Sequence, residues 1–472
     1  MDYTDALHYL LSFTNLASYR HIPYSERVWN LSHMETLMDA LARPHEDFAS
    51  VHIAGTKGKG STAAMIEHAL RLAGLRPGLY TSPHLHTFRE RMRVDGRLIP
   101  KSRWVEGVER LRRVVEHLPF KPTLFELLTS LAFWYFSAEE VPIAVVEVGL
   151  GGRLDSTNVV HPELSIITSL GLEHTAILGD TLAQIAREKG GIIKPGAPVI
   201  VAPQDPEAVA VLERLAEERE APLILLGRDW HYRVERVTPS GLHISVWNDR
   251  VRYEHVEVGL RGMHQGVNAA LAVIALHHLR EMGWPVDEET MRRGIRHVWW
   301  PARMEVLQRQ PVIFIDGAHT VEALRRLLDG IYRWFPHENL HVIFGVSADK
   351  RIPDLLELLW PHADTLFITR SRHPRAASPD HILEHVPSGE GPDLYATEYV
   401  EEAFAHALAL AGPNDLICTC GSIFLAAAVR EIWAHGYGRL APDDWAYESD
   451  FPILPRAVEP AIRGVRTLKR NR

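Results

Sequence analysis

The chain has 472 residues, 46% hydrophobic and 24% charged, the balance of a folded globular protein rather than of a disordered chain or a coiled coil. Lys and Arg number 51 against 60 Asp and Glu, a formal charge of −9 that excludes a general nucleic-acid binder while leaving room for a local phosphate site. Only two cysteines occur, too few for a secreted disulfide framework, and the 27 histidines are too many for any one to mark a metal without positional support.

The opening Met1-Asp2-Tyr3-Thr4-Asp5 lacks the basic stretch and apolar core of a signal peptide. No apolar run approaches the roughly 20 residues of a membrane span. The expectation is a cytoplasmic protein with neither membrane nor nucleic acid as partner. Length predicts two or three domains at roughly 150 residues each.

In chain order, residues 1–48 read as mainly helical, with Leu31, Met34, Leu37, Met38 and Leu41 at helical spacing. Ser50–Ala54 reads as a strand, followed by a glycine-rich turn and a helix over Thr62–Ala73 that stops at Gly74. Thr123–Phe136 reads as a helix and Ile143–Val148 as a buried parallel strand. Leu164–Ser169, Thr181–Lys189 and Val199–Ala202 continue the alternation as strand, helix and strand. Such alternation predicts an α/β fold with a mostly parallel, doubly wound sheet. His231–Val237, Leu242–Trp247 and Arg250–Val258 predict a small antiparallel sheet, and Asn268–Glu281 a helix. A break at 298–304, around Trp299-Trp300-Pro301, precedes a second α/β series. Its expected strands are Val312–Ile315, His341–Phe344, Leu366–Thr369 and Leu416–Thr419; its helices are Val321–Tyr332, Ala403–Ala411 and Ile423–Ala434. Cys418 falls in the last strand and Cys420 directly after it, and they read as two small buried residues. The expected division is 1–299, 300–437 and a Pro-rich tail at 438–472 ending in basic residues, solvated or loosely docked.

The strongest local signal is Gly55-Thr56-Lys57-Gly58-Lys59-Gly60-Ser61-Thr62 between a strand and a helix. Glycines let backbone N–H groups surround a phosphate, and the helix adds its positive end. Lys59 can reach the terminal phosphates, and Ser61 or Thr62 a phosphate or metal. The match to the common phosphate-binding loop is imperfect, because Gly60 stands where Ser or Thr follows the lysine. Glu147 ends a buried strand, where a carboxylate either holds Mg²⁺ beside a phosphate loop or caps a loop. His174 follows another strand and divides evenly between metal ligand and structural histidine. Alone, Ser82 is a turn serine and Lys189 a cation at a helix end. Asp316 ends the first strand after the break, where acids hold a ribose or a metal.

Taken together, these segments resemble the ATP-dependent amide ligases of the Mur ligase superfamily, and more closely the folylpolyglutamate synthase/dihydrofolate synthase family. The resemblance runs from about residue 20 to about 436. It is carried by the phosphate loop, TSPHL with Phe88-Arg89-Glu90-Arg91, EVGLGGRLDSTN at 147–158, LEHTAILGDT at 172–181 and REKGGIIKPG at 187–196. HQGVNAA at 264–270, WPARME at 300–305, DGAH at 316–319, GVSADK at 345–350, SRHPRAA at 371–377 and Gly421-Ser422 continue it.

The resemblance implies a phosphate-loop ATPase domain followed by a Rossmann-like glutamate ligase domain. It implies that Gly58 to Ser61 bind ATP phosphates, that Ser82 and Glu147 hold one Mg²⁺, and that His174 helps hold a second. Lys189 matches a lysine that the family carbamylates, which would turn a cation into a metal-binding carboxylate. Asn268, Arg303 and Asp316 match nucleotide-binding positions. Thr123, Phe125 and Glu126, with Leu154, Asp155 and Ser156, match the pterin region, while His319 and Ser422 lie near the incoming glutamate. Lys57, Met263 and Thr320 replace a usual Asn, Arg and Asn.

The expected enzyme joins L-glutamate to dihydropteroate or a tetrahydrofolate, as a monomer, using ATP and two Mg²⁺. Lys59, Lys189 and His319 are its expected catalytic residues. Three rivals stand beside it. A ligase acting on a cell-wall nucleotide shares the superfamily, a nucleotide-sensing protein without chemistry is supported by Thr320 alone, and a kinase or GTPase is disfavoured by Gly60 and the second α/β series.

Overall fold

The computed structural model describes residues 1–14, 31–441 and 444–451, with a two-residue strand at Arg466–Thr467. The first strand, β1 (Ala49–Ala54), is followed by β2 (Gly78–Tyr80), β3 (Met92–Val94), β4 (Arg97–Leu98), β5 (Ile143–Glu147), β6 (Leu164–Ile167), β7 (Val199–Val201) and β8 (Leu223–Leu225). They form one sheet in the order β4-β3-β2-β5-β1-β6-β7-β8. It is parallel from β2 to β8, with β3 and β4 added antiparallel at one edge.

Both faces are buried, which is why β5 reads as an unbroken apolar run. Ile143 and Val145 face the helices Lys59–Leu72 and Gln265–Glu281, whereas Ala144 and Val146 face Leu124–Ala138. The small sheet is β9 (His231–Thr238), β10 (Gly241–Trp247) and β11 (Arg252–Val258), antiparallel as expected.

After Pro301 come β12 (Glu305–Arg309), β13 (Val312–Ile315), β14 (Leu340–Phe344), β15 (Thr365–Ile368), β16 (Asp393–Ala396), β17 (Leu416–Cys420) and β18 (Arg466–Thr467), in the order β12-β13-β17-β14-β15-β16-β18. The middle five strands are parallel, and Cys418 and Cys420 lie free and buried in β17. One apolar cluster runs from the first sheet through β10 and β11 to Phe314, Val342 and Phe344 of the third. The two α/β sheets therefore share packed surface.

The expected helices and strands are present with their ends moved by up to three residues. The helices Lys101–Val115, Pro206–Glu217 and Glu288–His297 stand where no element was expected. Each buries only a narrow stripe, such as Trp104, Gly107, Val108 and Leu111, so its sequence reads as mostly polar. Among the described residues, no helix is long and apolar enough to cross a membrane.

The tail departs from expectation. Asp444 and Trp445 are buried, Asp444 against the fully buried Arg430, and β18 pairs with β16. A buried guanidinium must be paired, and that requirement docks residues 444–451. The helical expectation for residues 15–30 lies outside the described residues.

Candidate active site

The carboxyl ends of β1, β2, β5 and β6 open on one cleft of about 1980 Å³, whose opposite wall comes from the turns after β13 and β17. This is where an open α/β sheet offers a ligand its loops and helix ends. All predicted site residues line it except Gly55, Thr62 and Lys189, which sit immediately behind the phosphate loop or in the first turn of its helix.

The loop leaves β1 with Gly55 at φ +147° and Gly58 at φ +98°. A Cβ on Gly55 would stand 1.8 Å from Thr168 Oγ1, and one on Gly58 2.2 Å from Asn268 Oδ1. Glycine is therefore obligatory at both positions, and Asn268 packs directly on the loop. The N–H groups of Thr56 and Lys57 donate to the Ser169 carbonyl, which fixes the loop's entry. Lys59 Nζ lies 3.2 Å from the Gly55 carbonyl and 3.9 Å from Glu147. Lys189 Nζ donates to the same carbonyl at 2.9 Å, so it serves the phosphate loop rather than its own helix end. Burial, aided by the Lys59 charge, pushes the Lys189 ammonium down to about 7.

Glu147 is 5% exposed and accepts the Ser82 N–H at 3.0 Å. Burial pushes its carboxyl upward, and Lys59 is the largest opposing influence. Ser82 and Glu147 together offer hard oxygen donors suited to Mg²⁺ beside bound phosphates. His174 is held at φ +55°, and burial pulls its imidazole down to about 4, keeping it a neutral donor. As an ammonium, Lys189 would repel a cation held here.

Across the cleft, Asp316 accepts the N–H groups of Met304 at 2.9 Å and Ala318 at 2.8 Å. The Arg303 guanidinium holds the Ala302 carbonyl at 3.0 Å. His319 Nδ1 donates to the Gly317 carbonyl, which leaves Nε2 facing Glu173 at 3.5 Å. Glu173, absent from the expected site, also accepts Lys57 Nζ at 2.9 Å. Burial opposes its charge, but His319 and Lys57 outweigh burial and hold it well below the usual carboxylate range. One carboxylate thus joins the phosphate loop to the C-terminal wall. Its sequence signals were adjacency to His174 and a place within the motif at 172–181.

The positions expected to face a pterin are less free than their polarity suggests. Thr123 and Glu126 form a reciprocal cap on the helix Leu124–Ala138. Asp155 spends its oxygens on Leu150 N, Thr157 N and Thr157 Oγ1, while Phe125 packs on Gly149. Leu154 and Ser156 line the cleft beside them, and Ser422 caps the helix Ile423–Gly436. Two further residues stand on the wall: Arg91, whose Nε donates to His84 Nδ1 at 3.0 Å, and His373, stacked on Phe424.

Residues 53–276 match the Mur ligase middle domain and residues 302–423 the Mur ligase glutamate ligase domain. The fold and the cleft are thus those of a two-part Mur-type ligase. Dihydrofolate synthase/folylpolyglutamate synthase of Bacillus subtilis (strain 168) is 34% identical over 407 residues, 85% of this chain and 94% of the relative. A Mycobacterium tuberculosis folylpolyglutamate synthase complexed with ADP superposes at a TM-score of 0.82 with 27% identity, covering 92% of this chain and 98% of that one. An E. coli FolC in complex with DHPP and ADP superposes at 0.80 with 29% identity, covering 92% and 97%. The chain belongs to the folylpolyglutamate synthase/dihydrofolate synthase family of Mur ligases.

Proposed function

We propose that this protein is an ATP-dependent ligase that forms an amide between L-glutamate and the carboxyl of dihydropteroate, of a (poly)glutamylated tetrahydrofolate, or of both. The observation that carries this reading is one cleft facing a phosphate loop with Glu147 and Ser82 on one wall and Arg303, Asp316 and His319 on the other. The relatives' names and the nucleotide and DHPP complexes of the structural neighbours support the same substrates.

In the proposed reaction, an acceptor carboxylate oxygen attacks the γ-phosphorus of ATP, giving an acyl phosphate and ADP. The glutamate amine then attacks the acyl carbon, the amide C–N bond forms as the acyl C–O bond breaks, and inorganic phosphate leaves with that electron pair while the nitrogen's proton passes to the departing phosphate or to solvent. Gly55 to Thr62 bind the phosphates and Lys59 offsets their developing charge. Asn268 backs the loop, while Arg303 and Asp316 hold the nucleotide from the other wall. Phe125 supplies an apolar face for the pterin. Leu154, Asp155 and Ser156, with the Thr123 and Glu126 cap, shape that wall. His319 Nε2, oriented by its bond to Gly317, and Ser422 meet the incoming glutamate. Ser82 and Glu147 would hold one Mg²⁺, with His174 and carbamylated Lys189 serving a second. Bound there, Mg²⁺ supplies charge neutralisation of the transferring phosphoryl group. Both walls come from one chain, so a monomer suffices for the reaction.

The test is phosphate release from ATP with L-glutamate and either dihydropteroate, tetrahydrofolate or a UDP-muramoyl acceptor. Release with a pteridine alone is expected, and the two pteridines compared decide between one activity and two. Release only with the muramoyl acceptor would sink the folate reading. Silence with every acceptor would leave a nucleotide-binding protein.

A further inference from the structure

Arg430 is fully buried in the helix Ile423–Gly436, and all of its charge is answered locally. Nε lies 3.0 Å from both oxygens of Glu305, and the two terminal nitrogens grip Asp444 at 2.6 and 2.5 Å. This turns the chain after the helix back toward the first sheet. Trp445 then stacks under the Arg93 guanidinium at 3.9 Å, with Trp300 on the same cation at 4.7 Å.

The segment next reaches the loop between β2 and β3. Glu448 accepts from Arg89 at 2.5 Å. Asp450 accepts the Tyr3 hydroxyl at 2.6 Å and the Phe88 N–H at 2.8 Å, and its own N–H donates to the His86 carbonyl at 3.0 Å. Ser82, at the start of that loop, is held separately by Glu147, while His84 to His86 and Phe88 line the cleft on the β2 side, next to the pterin wall through Tyr80 and Phe125, whose rings lie 6.2 Å apart. None of these bonds involves the phosphate loop.

We propose that residues 444–451 are a clasp that sets the acceptor wall of the cleft by fixing residues 86–89 of the loop between β2 and β3, with Tyr3 and Asp450 as positioning residues for the pteridine acceptor. The proposal rests on the ligase reading above. A loop held from outside the cleft orders the acceptor subsite before binding, and releasing it costs acceptor affinity without touching the nucleotide side.

The experiment compares Tyr3→Phe, Asp450→Ala and the double variant in phosphate release, varying pteridine and ATP separately. Each single variant is expected to raise the acceptor KM about tenfold and to leave the ATP KM within about twofold. The double variant should be no worse than Asp450→Ala, which already removes the bond that Tyr3→Phe removes together with the one to Phe88. Amide deuterium exchange at residues 86–88 should rise in all three. Unchanged acceptor KM, or acceptor and ATP KM rising together as general loosening would give, overturns the clasp. If the unaltered protein turns over no pteridine, the ligase reading fails separately. Exchange then decides the clasp alone: a rise at 86–88 supports it and no change overturns it.

Discussion

The end of β5 and the loop at 149–159 each bury a carboxylate at the same edge of the same sheet, but the two are wired differently. Asp155, 2% exposed, accepts two backbone N–H groups and the Thr157 hydroxyl, and its oxygens are used up. Glu147, 5% exposed, has the Ser82 N–H at 3.0 Å and an ammonium only at 3.9 Å. Burial pushes both carboxyls upward. The difference separates a carboxylate that folds its own loop from one left available to a ligand. Burial alone does not make that distinction; the count of local donors does.

The largest effect should come from Glu147→Gln. Its turnover is expected to fall by about 10³ or more, roughly 4 kcal/mol of transition-state stabilisation, at unchanged or raised thermal midpoint. Near-normal phosphate release would erase the distinction between the two acids. Next, Asp155→Ala should cost about 3 kcal/mol of stability by urea unfolding, because three donors lose their acceptor. A fully stable but inactive Asp155→Ala would instead make this acid a direct substrate contact.

The same network gives a pH dependence. Thr157 Oγ1 donates to Asp155, so His52 Nε2 must donate to Thr157 at 2.9 Å, leaving Nδ1 without a partner. Burial pushes the His52 imidazolium down to about 3. The unfolded chain, titrating near pH 6.5, therefore takes up the proton first, and stability falls as pH drops from about 6.5 toward 3. By pH 5 the loss from this group should be about 2 kcal/mol, and His52→Gln should abolish that share of the slope. An identical slope in the variant would place the acid sensitivity elsewhere. The smallest effect is expected from Lys57→Asn. Lys57 is tied to Glu173 at the mouth of the loop, and its loss should raise the ATP KM by less than about tenfold. A loss as large as that of Glu147→Gln would make it a principal phosphate ligand.

Much of the nucleotide side was legible because local rules determine it. Gly55 and Gly58 show as glycines because their positive φ and the crowding of Thr168 and Asn268 admit nothing else. Glu147 showed as the lone acid in an apolar strand. The acceptor side was less legible. Thr123 and Glu126 occupy the spacing of a helix cap, and polarity alone does not tell a cap from a ligand contact. Glu173 acquired its role only because His319, far along the chain, folds to within 3.5 Å of it.

By itself the sequence determined the two α/β series, the phosphate loop, the carboxylate at the strand end and the family, since period, glycine position and motif order are local properties. Tertiary structure alone decided which acids are spent and which are open, that Glu173 links the two walls, and that residues 444–451 dock. Those outcomes depend on donors brought from distant segments, and a buried charge such as Arg430 is tolerated only once they arrive.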